Sequence, residues 1–418
     1  MITIKTKKFV NAVIEAPPSK SYTNRALIVA SLANGISTIK RPLFSDDTNY
    51  MIDGLRKLGV IISKRGKDII VIGTAGRLKP ASASIFVGNA GTTMRFITTF
   101  ASLSDGVTTI TGDKRMLERP IQDLLEALKQ LGVRSECNNG LPPVKIHGGT
   151  FNGGSIELKG NVSSQFISSI LMCSPYAKKD IEIKIKGSIL SKSYVDLTLD
   201  VMQNFGVHVK NLNYRRFIIK NTPRYVSKDY KIEGDASNAS YFFGAAAITK
   251  GKVMVKNINP NSKQGDIKFV DLLKKMGCGV KRGRNFIQVQ GRELRSVDVD
   301  MSNMPDVVPT LSVISLFAKS TTTIKNVPHL RLKETDRLKA LSLELRKVGA
   351  NVEELQDGLR IKRRRLQKAI IETYNDHRMA MSFAMAGLAI NGIRIKNPSC
   401  VNKSFPDFWI KFEKLYKK

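Results

Sequence analysis

Amphipathic runs closed by a glycine and followed by a β-branched stretch recur five times along the chain. The glycines are Gly59, Gly132, Gly206, Gly277 and Gly349, separated by 73, 74, 71 and 72 residues. Leucines or their equivalents fall at helical spacing before each, as in Leu124, Leu125, Leu128 and Leu131, in Leu272, Leu273 and Met276, and in Leu341, Leu345 and Val348. Glycine supplies a left-handed cap, and valine or alanine opens a strand after it. The spacing predicts an internal repeat of about 72 residues.

A second helix precedes the amphipathic one in every unit and is apolar on nearly all faces: 25–33, 94–103, 166–176, 241–248, 307–318 and 379–390. Helices that are apolar all round are buried. These make six units, because the last amphipathic helix, 408–416, reaches the end of the sequence before its glycine can appear. Short β-rich stretches lie between them, at 69–72, 107–111, 181–185, 286–289 and 393–395. Each unit reads β-α-β-α-β-β. A unit of ~72 residues is too long for a solenoid rung and too short for a comfortable independent domain, so units should share cores, most simply three plus three.

The 418 residues, 42% of them hydrophobic, are ample for two or three cores. No apolar run approaches the ~20 residues of a membrane span, and residues 1–10 are β-like and lysine-bearing without a signal-peptide core, so a cytoplasmic protein is expected. Cys137, Cys173, Cys278 and Cys400 show no paired spacing, and no His-x-x-x-His or Cys-x-x-Cys pair occurs. Neither a disulfide framework nor a metal is expected.

Lysine and arginine total 68 against 35 acidic residues, a formal charge of +33 that would attract any polyanion. The basic residues are spread along the whole chain, however, and aromatics are only 7% with one tryptophan. Without a stacking platform, nucleic acid is not the expected partner. A small, multiply charged anion fits better, because certain basic residues stand at certain places.

Those places are the entrances to the buried helices. The first reads Pro18-Ser19-Lys20-Ser21-Tyr22-Thr23-Asn24-Arg25, the second Asn89-Ala90-Gly91-Thr92-Thr93-Met94-Arg95, the third Ser163-Ser164-Gln165 and the sixth Asn375-Asp376-His377-Arg378. A helix N-terminus offers unpaired amides and a partial positive charge, which hydroxyls, Lys and Arg reinforce. Singly each is weak: Ser163 has a plainer reading as an N-cap, Gly91 as a tight turn, and Lys20 with Arg25 as a solvated pair. The later units add carboxylates. Asp306 opens the fifth buried helix, and Lys333, Glu334 and Arg337 open the amphipathic helix after it, with Lys333 and Arg337 four apart on one expected helical face. Lys20, Arg25, Arg95, Arg119, Lys333, Arg337, Arg378 and Lys403, with Asp306 and Glu334 among them, suit transfer chemistry on a substrate bearing several negative charges. No Walker loop, dinucleotide glycine motif or Cys-His signature occurs, which disfavours kinases and dehydrogenases.

As a set these motifs resemble the 5-enolpyruvylshikimate-3-phosphate synthases, within the enolpyruvyl transferase family. The segments are Pro18-Ser19-Lys20-Ser21 with Arg25, Asn89-Ala90-Gly91-Thr92 with Arg95, Glu118-Arg119-Pro120-Ile121, Ser163-Ser164-Gln165-Phe166, Leu190-Ser191-Lys192-Ser193-Tyr194, Glu233-Gly234-Asp235-Ala236-Ser237, Pro305-Asp306, Lys333-Glu334-Thr335-Asp336-Arg337, Asp376-His377-Arg378-Met379-Ala380 and Lys403-Ser404-Phe405-Pro406-Asp407. They run in family order over nearly the whole chain.

The resemblance implies an α/β fold, a two-domain inside-out α/β barrel of six βαβαββ repeats, three per domain, with buried parallel helices. It implies crossings near Pro17-Pro18 and Glu233-Gly234, one continuous domain over 19–232, a second from 1–18 plus 233–418, and an active site in the interdomain cleft. It further implies enolpyruvyl transfer from phosphoenolpyruvate to the 5-hydroxyl of shikimate 3-phosphate, with no cofactor. By family position Asp306 is the base near the 5-hydroxyl, and Glu334 with Lys20 moves protons to and from phosphoenolpyruvate. Their order as acid and base stays open, since the cleft sets it. Lys20, Gly91, Arg119, Gln165, Arg337, Arg378 and Lys403 would hold phosphoenolpyruvate. Ser21, Arg25, Ser163, Ser164, Gln165, Ser191, Tyr194, Asp306 and Lys333 would hold shikimate 3-phosphate. A monomer acting without nucleic acid or membrane is expected.

Three positions depart from the usual family pattern: Phe96 and Ser193 where proline is usual, and His329 where asparagine is usual. Gly91 favours sensitivity to phosphoenolpyruvate mimics such as glyphosate, whereas Phe96, by shifting its helix, would weaken it. Two alternatives stay open. The sister family that transfers enolpyruvate to UDP-N-acetylglucosamine shares the fold, but its cysteine loop is not evident between Asp113 and Glu118. A non-enzymatic polyanion binder would make Lys20, Asp306 and Glu334 dispensable.

Overall fold

A computed structural model describes residues 1–161 and 163–417. The five repeat glycines all lie in the left-handed region, with φ between 86° and 109°. Each donates its N–H to the carbonyl three residues back: Gly59 to Arg56, Gly132 to Lys129, Gly206 to Gln203, Gly277 to Lys274 and Gly349 to Arg346. One helix-terminating device, open to glycine at no steric cost, therefore punctuates five of the six units.

The repeats fold as sheets whose first two strands run parallel across a helix, as a strand–helix–strand crossover requires, while the last two form an antiparallel hairpin. In the second unit Ile85–Phe86 pairs parallel with Gly106–Thr111, which pairs antiparallel with Leu141–Gly148, itself paired with Arg134–Asn138. The third and fifth units repeat this order.

In the first and fourth units the leading strands are exchanged. Asn11–Glu15, which precedes the first buried helix, pairs with Lys252–Lys256 of the fourth unit. Asp229–Lys231, which precedes the fourth buried helix, pairs with Asn34–Lys40 of the first. The sixth sheet joins Ile370–Ile371 to Arg394–Ile395 and is completed by the N-terminal strand Ile2–Thr3. By this exchange the chain divides into two units, Pro18–Ile232 and Met1–Pro17 with Glu233–Lys418.

The unit Pro18–Ile232 packs the helices Lys20–Leu32, Gly91–Ala101 and Ser164–Cys173 at its centre. Gln165 Nε2 donates to Thr92 Oγ1 at the start of two of them, and Thr99 Oγ1 donates to Ser169 Oγ further along both, so they run parallel. The unit made of Met1–Pro17 and Glu233–Lys418 does the same with Ala236–Ile248, Val308–Ser315 and His377–Ala389; every residue of the first of these is buried. Amphipathic helices and the apolar faces of the sheets close each core separately. No helix of the described residues is long and apolar enough to cross a membrane.

Five of the six buried helices begin earlier than their apolar runs predict. Lys20–Leu32 and Ala236–Ile248 each start five residues ahead of the expected 25 and 241. Side-chain caps are the reason: Ser19 accepts from the Tyr22 N–H, Asp235 from that of Asn238 and Asp376 from that of Arg378. The polar entrance residues are thus first-turn residues of the buried helices themselves. In the fifth unit a 3-10 turn, Pro305–Val307, carries Asp306 ahead of the helix.

Candidate active-site residues in each unit

In the unit Pro18–Ile232, Arg25 is buried and its Nε donates to Thr198 Oγ1 at 2.8 Å. Its other nitrogens donate to the Ser21 carbonyl at 3.1 Å, the Tyr194 carbonyl at 3.0 Å and Ser168 Oγ at 3.4 Å. Among the described residues all these acceptors are neutral, so a buried cation stands without a carboxylate. Burial pushes its pKa down to about 10, with Tyr194 and Tyr22 acting against the shift, and the guanidinium remains charged at neutral pH. Its free energy improves when an anion arrives. The expected set Ser21, Arg25 and Tyr194 is therefore brought together. Ser191, at φ 60°, stands at the N-cap of the helix Lys192–Asn204, and its main-chain carbonyl accepts from the Tyr194 N–H at 3.0 Å.

Lys20 does not join this group. Its ammonium donates to Asp47 Oδ2 at 2.7 Å, and both side chains are largely buried. Sequence reasoning missed Asp47, because an acidic pair after Ser45 reads as ordinary support for a helix start; the capping box itself is made by Ser45 and Thr48.

Gly91 is the first residue of its helix, and a Cβ there would lie 2.5 Å from Arg119 Nη2. The absent side chain lets the guanidinium lie against the helix start, where Arg119 Nη1 donates to Asn89 Oδ1 at 2.9 Å and to its carbonyl at 3.2 Å. Arg95 ties this helix to the segment after Arg119 by donating to the Pro120 carbonyl at 2.9 Å. Gln165 reaches the same corner through Thr92. Ser163 accepts from the Gln165 N–H at 3.2 Å as an N-cap, and Ser164 is buried beside it. Phe96 lies within the helix Gly91–Ala101, and its ring packs on Arg25.

In the other unit, the centre is Arg337, almost wholly buried. Its Nε donates to Asp376 Oδ2 at 2.7 Å, Nη2 to Glu334 Oε2 at 2.6 Å and Nη1 to Asp306 Oδ1 at 3.3 Å. Burial works against its charge, but Asp376, Glu334 and Asp306 outweigh it, so its pKa lies above the ordinary arginine value. Asp306 Oδ2 also accepts from Arg378 Nη2 at 2.7 Å, and Arg378 Nη1 donates to the Tyr241 hydroxyl at 3.3 Å. Asp306, Glu334, Arg337 and Arg378 therefore form one cluster. Lys403 is buried at the end of the 3-10 helix Pro398–Lys403, which packs on the helix bearing Arg378.

Lys333 corrects the sequence expectation. The helix begins only at Arg337, capped by the Asp336 side chain, while Lys333 has φ −89° and ψ −154°. Lys333 and Arg337 thus do not share a helical face; bends at 333–335 separate them, because Asp336 is the better cap. Sequence reasoning also assigned no role to Asp376, which braces Arg337 and caps the helix His377–Ala389 at once. His329 is buried, and neither ring nitrogen has a hydrogen-bond partner among the described residues. Burial, with Lys333 and Arg337 adding and Asp306 opposing, pushes its pKa down to about 3.

Buried arginines braced by carboxylates in one unit, and a buried arginine among neutral oxygens in the other, are equipment for binding small anions and moving protons among them. Comparison with known proteins agrees. Among curated relatives, the 3-phosphoshikimate 1-carboxyvinyltransferase of Trichormus variabilis is 45% identical over 411 residues, covering 97% of this chain and 96% of its own. That of Shewanella halifaxensis is 45% identical over 415 residues, covering 98% and 97%. The solved EPSP synthase of Acinetobacter baumannii, 24% identical, superposes with a TM-score of 0.82 over 99% of this chain and 97% of its own, which shows the shared fold. The family model of EPSP synthase (3-phosphoshikimate 1-carboxyvinyltransferase) matches residues 4–412, and the chain belongs to that family.

Proposed function

We propose that the chain performs the reaction its family is named for, transferring the enolpyruvyl group of phosphoenolpyruvate to the 5-hydroxyl of shikimate 3-phosphate with release of inorganic phosphate. The observation that carries the reading is Asp306, whose two carboxylate oxygens accept from two buried guanidiniums, those of Arg337 and Arg378. A carboxylate so held is ionised and fixed in direction. A substrate anion that takes over the arginine donors releases Asp306 to accept a proton.

In this reading Lys20, Gly91, Arg119, Gln165, Arg337, Arg378 and Lys403 bind phosphoenolpyruvate. Ser21, Arg25, Ser163, Ser164, Gln165, Ser191, Tyr194, Asp306 and Lys333 bind shikimate 3-phosphate, whose phosphate supplies the anion Arg25 lacks. The 5-hydroxyl oxygen bonds to C2 of phosphoenolpyruvate as its proton passes to Asp306, while C3 gains a proton, a transfer handled by Glu334 with Lys20. The resulting tetrahedral adduct expels phosphate from C2 and loses a proton from C3, which restores the vinyl group. Atoms and charge balance without a redox step or cofactor. The enzyme would work in the cytoplasm as a monomer on small molecules alone.

The test is product identity. Purified protein given phosphoenolpyruvate with shikimate 3-phosphate should form the enolpyruvyl ether, seen by mass spectrometry, and should form none with UDP-N-acetylglucosamine. Ether only with the sugar nucleotide would reassign the acceptor.

A further inference from the structure

Asp266 is a buried carboxyl that the mechanism above does not use. One oxygen, Oδ2, accepts a hydrogen bond from Ser237 Oγ, and the other, Oδ1, is buried with no hydrogen-bond partner among the described residues. The segment bearing it is fastened by Gln264, whose side-chain oxygen accepts from the Ala236 N–H at 3.0 Å and whose Nε2 donates to the Gly234 carbonyl at 2.8 Å. Ser237 stands one helical turn before Tyr241 on the same face, and the Tyr241 hydroxyl accepts from Arg378. A single helix thus links Asp266 to Arg378, which in turn holds Asp306.

We propose that Asp266 is a positioning residue for the reaction, a carboxyl kept protonated so that Asp306 alone carries the anionic charge that Arg378 must share with substrate. The inference rests on the reading of Asp306 and Arg378 as substrate-binding groups. An ionised Oδ1 would sit buried without a donor, which is costly, whereas a neutral carboxyl there costs much less. The charged groups facing it are Asp306 from the 3-10 turn, Asp235 from the cap of the helix Ala236–Ile248, and Arg378 from the helix His377–Ala389. Burial and Asp306 push its pKa up to about 7, with Ser237 and Arg378 opposing and Asp235 adding.

Ionisation of Asp266 would place a second negative charge against Asp306 and draw Arg378 away from the incoming anion. Activity at limiting phosphoenolpyruvate should therefore fall as pH rises through the Asp266 titration. The experiment measures kcat and KM for phosphoenolpyruvate from pH 5.5 to 9 in the wild type, Asp266→Asn and Ser237→Ala. In the wild type kcat/KM should fall about tenfold per pH unit beyond an alkaline break. In Asp266→Asn, which mimics the neutral acid, that break should disappear or move up by about a unit or more, while kcat at pH 6 keeps at least about a tenth of the wild-type value. Ser237→Ala removes the donor that favours the ionised form, so its break should also move up; this variant decides the matter if Asp266→Asn does not fold. An unmoved break in either folded variant, or a loss beyond about a hundredfold at every pH in folded Asp266→Asn, overturns the proposal. Wild-type protein that turns over neither substrate would overturn the reading of the site as well, whereas active protein with an unmoved break defeats only the role of Asp266.

Discussion

The ring of Phe96 lies against the guanidinium of Arg25, its centroid 5.3 Å from Cζ. A residue foreign to the usual family pattern thus supports the cation read as the anchor for shikimate 3-phosphate. A desolvated cation–π contact contributes roughly 0.5–2 kcal/mol. Phe96→Leu should raise KM for shikimate 3-phosphate by about twofold to thirtyfold with KM for phosphoenolpyruvate nearly constant. Steady-state kinetics with each substrate varied in turn checks the split.

Gly91→Ala places a methyl group 2.5 Å from Arg119 Nη2. The guanidinium must leave Asn89 and the helix start, so KM for phosphoenolpyruvate should rise on the order of tenfold or more. The melting temperature should change little, because Arg119 can move where the helix cannot. An unaltered KM would mean that Arg119 does not bind this substrate.

Asp376→Ala removes the carboxylate that braces buried Arg337 and the cap of the helix His377–Ala389. Breaking a buried ion pair from one side costs about 3–5 kcal/mol, and loss of the cap adds about 1. The variant should unfold at clearly lower denaturant concentration than the wild type, and losses of binding and stability should appear together.

His329 is held neutral in the folded protein, its pKa pushed down to about 3 against an ordinary 6.5. The unfolded chain therefore binds the proton more readily between these values. Its contribution to stability is present above about pH 6.5 and is lost as pH falls toward 3. His329→Asn cannot titrate, so its melting temperature should fall less than that of the wild type between pH 7 and pH 4.5. Parallel declines would show that His329 does not set the acid limb.

Much of the architecture is legible because it is periodic. The five glycines mark five helix ends by one backbone bond, and the apolar runs mark the helices that fill the cores. The exchange of leading strands is not legible locally. Asn11–Glu15 and Asp229–Lys231 carry nothing in their own alternation to say that each pairs beside the other's repeat. The site divides in the same way. Arg25, Arg337, Arg378, Asp306 and Glu334 announce themselves as charges at helix starts in apolar surroundings. Their supports do not: Thr198 and Ser168 look like helix-interior hydroxyls, Asp47 and Asp376 like caps, and Asp266 like an acid in a loop. Long-range partners of a charge leave no trace in spacing. Lys333 was misplaced for a local reason, since a four-residue interval suggests one helical face only if no better cap intervenes, and Asp336 does.

The most direct measurement is inorganic phosphate release by purified protein given phosphoenolpyruvate plus shikimate 3-phosphate, with each substrate alone and Glu334→Ala as controls. Release that requires both substrates and collapses in folded Glu334→Ala is the predicted result; folded wild-type protein that releases no phosphate, or a variant as active as the wild type, would contradict the account.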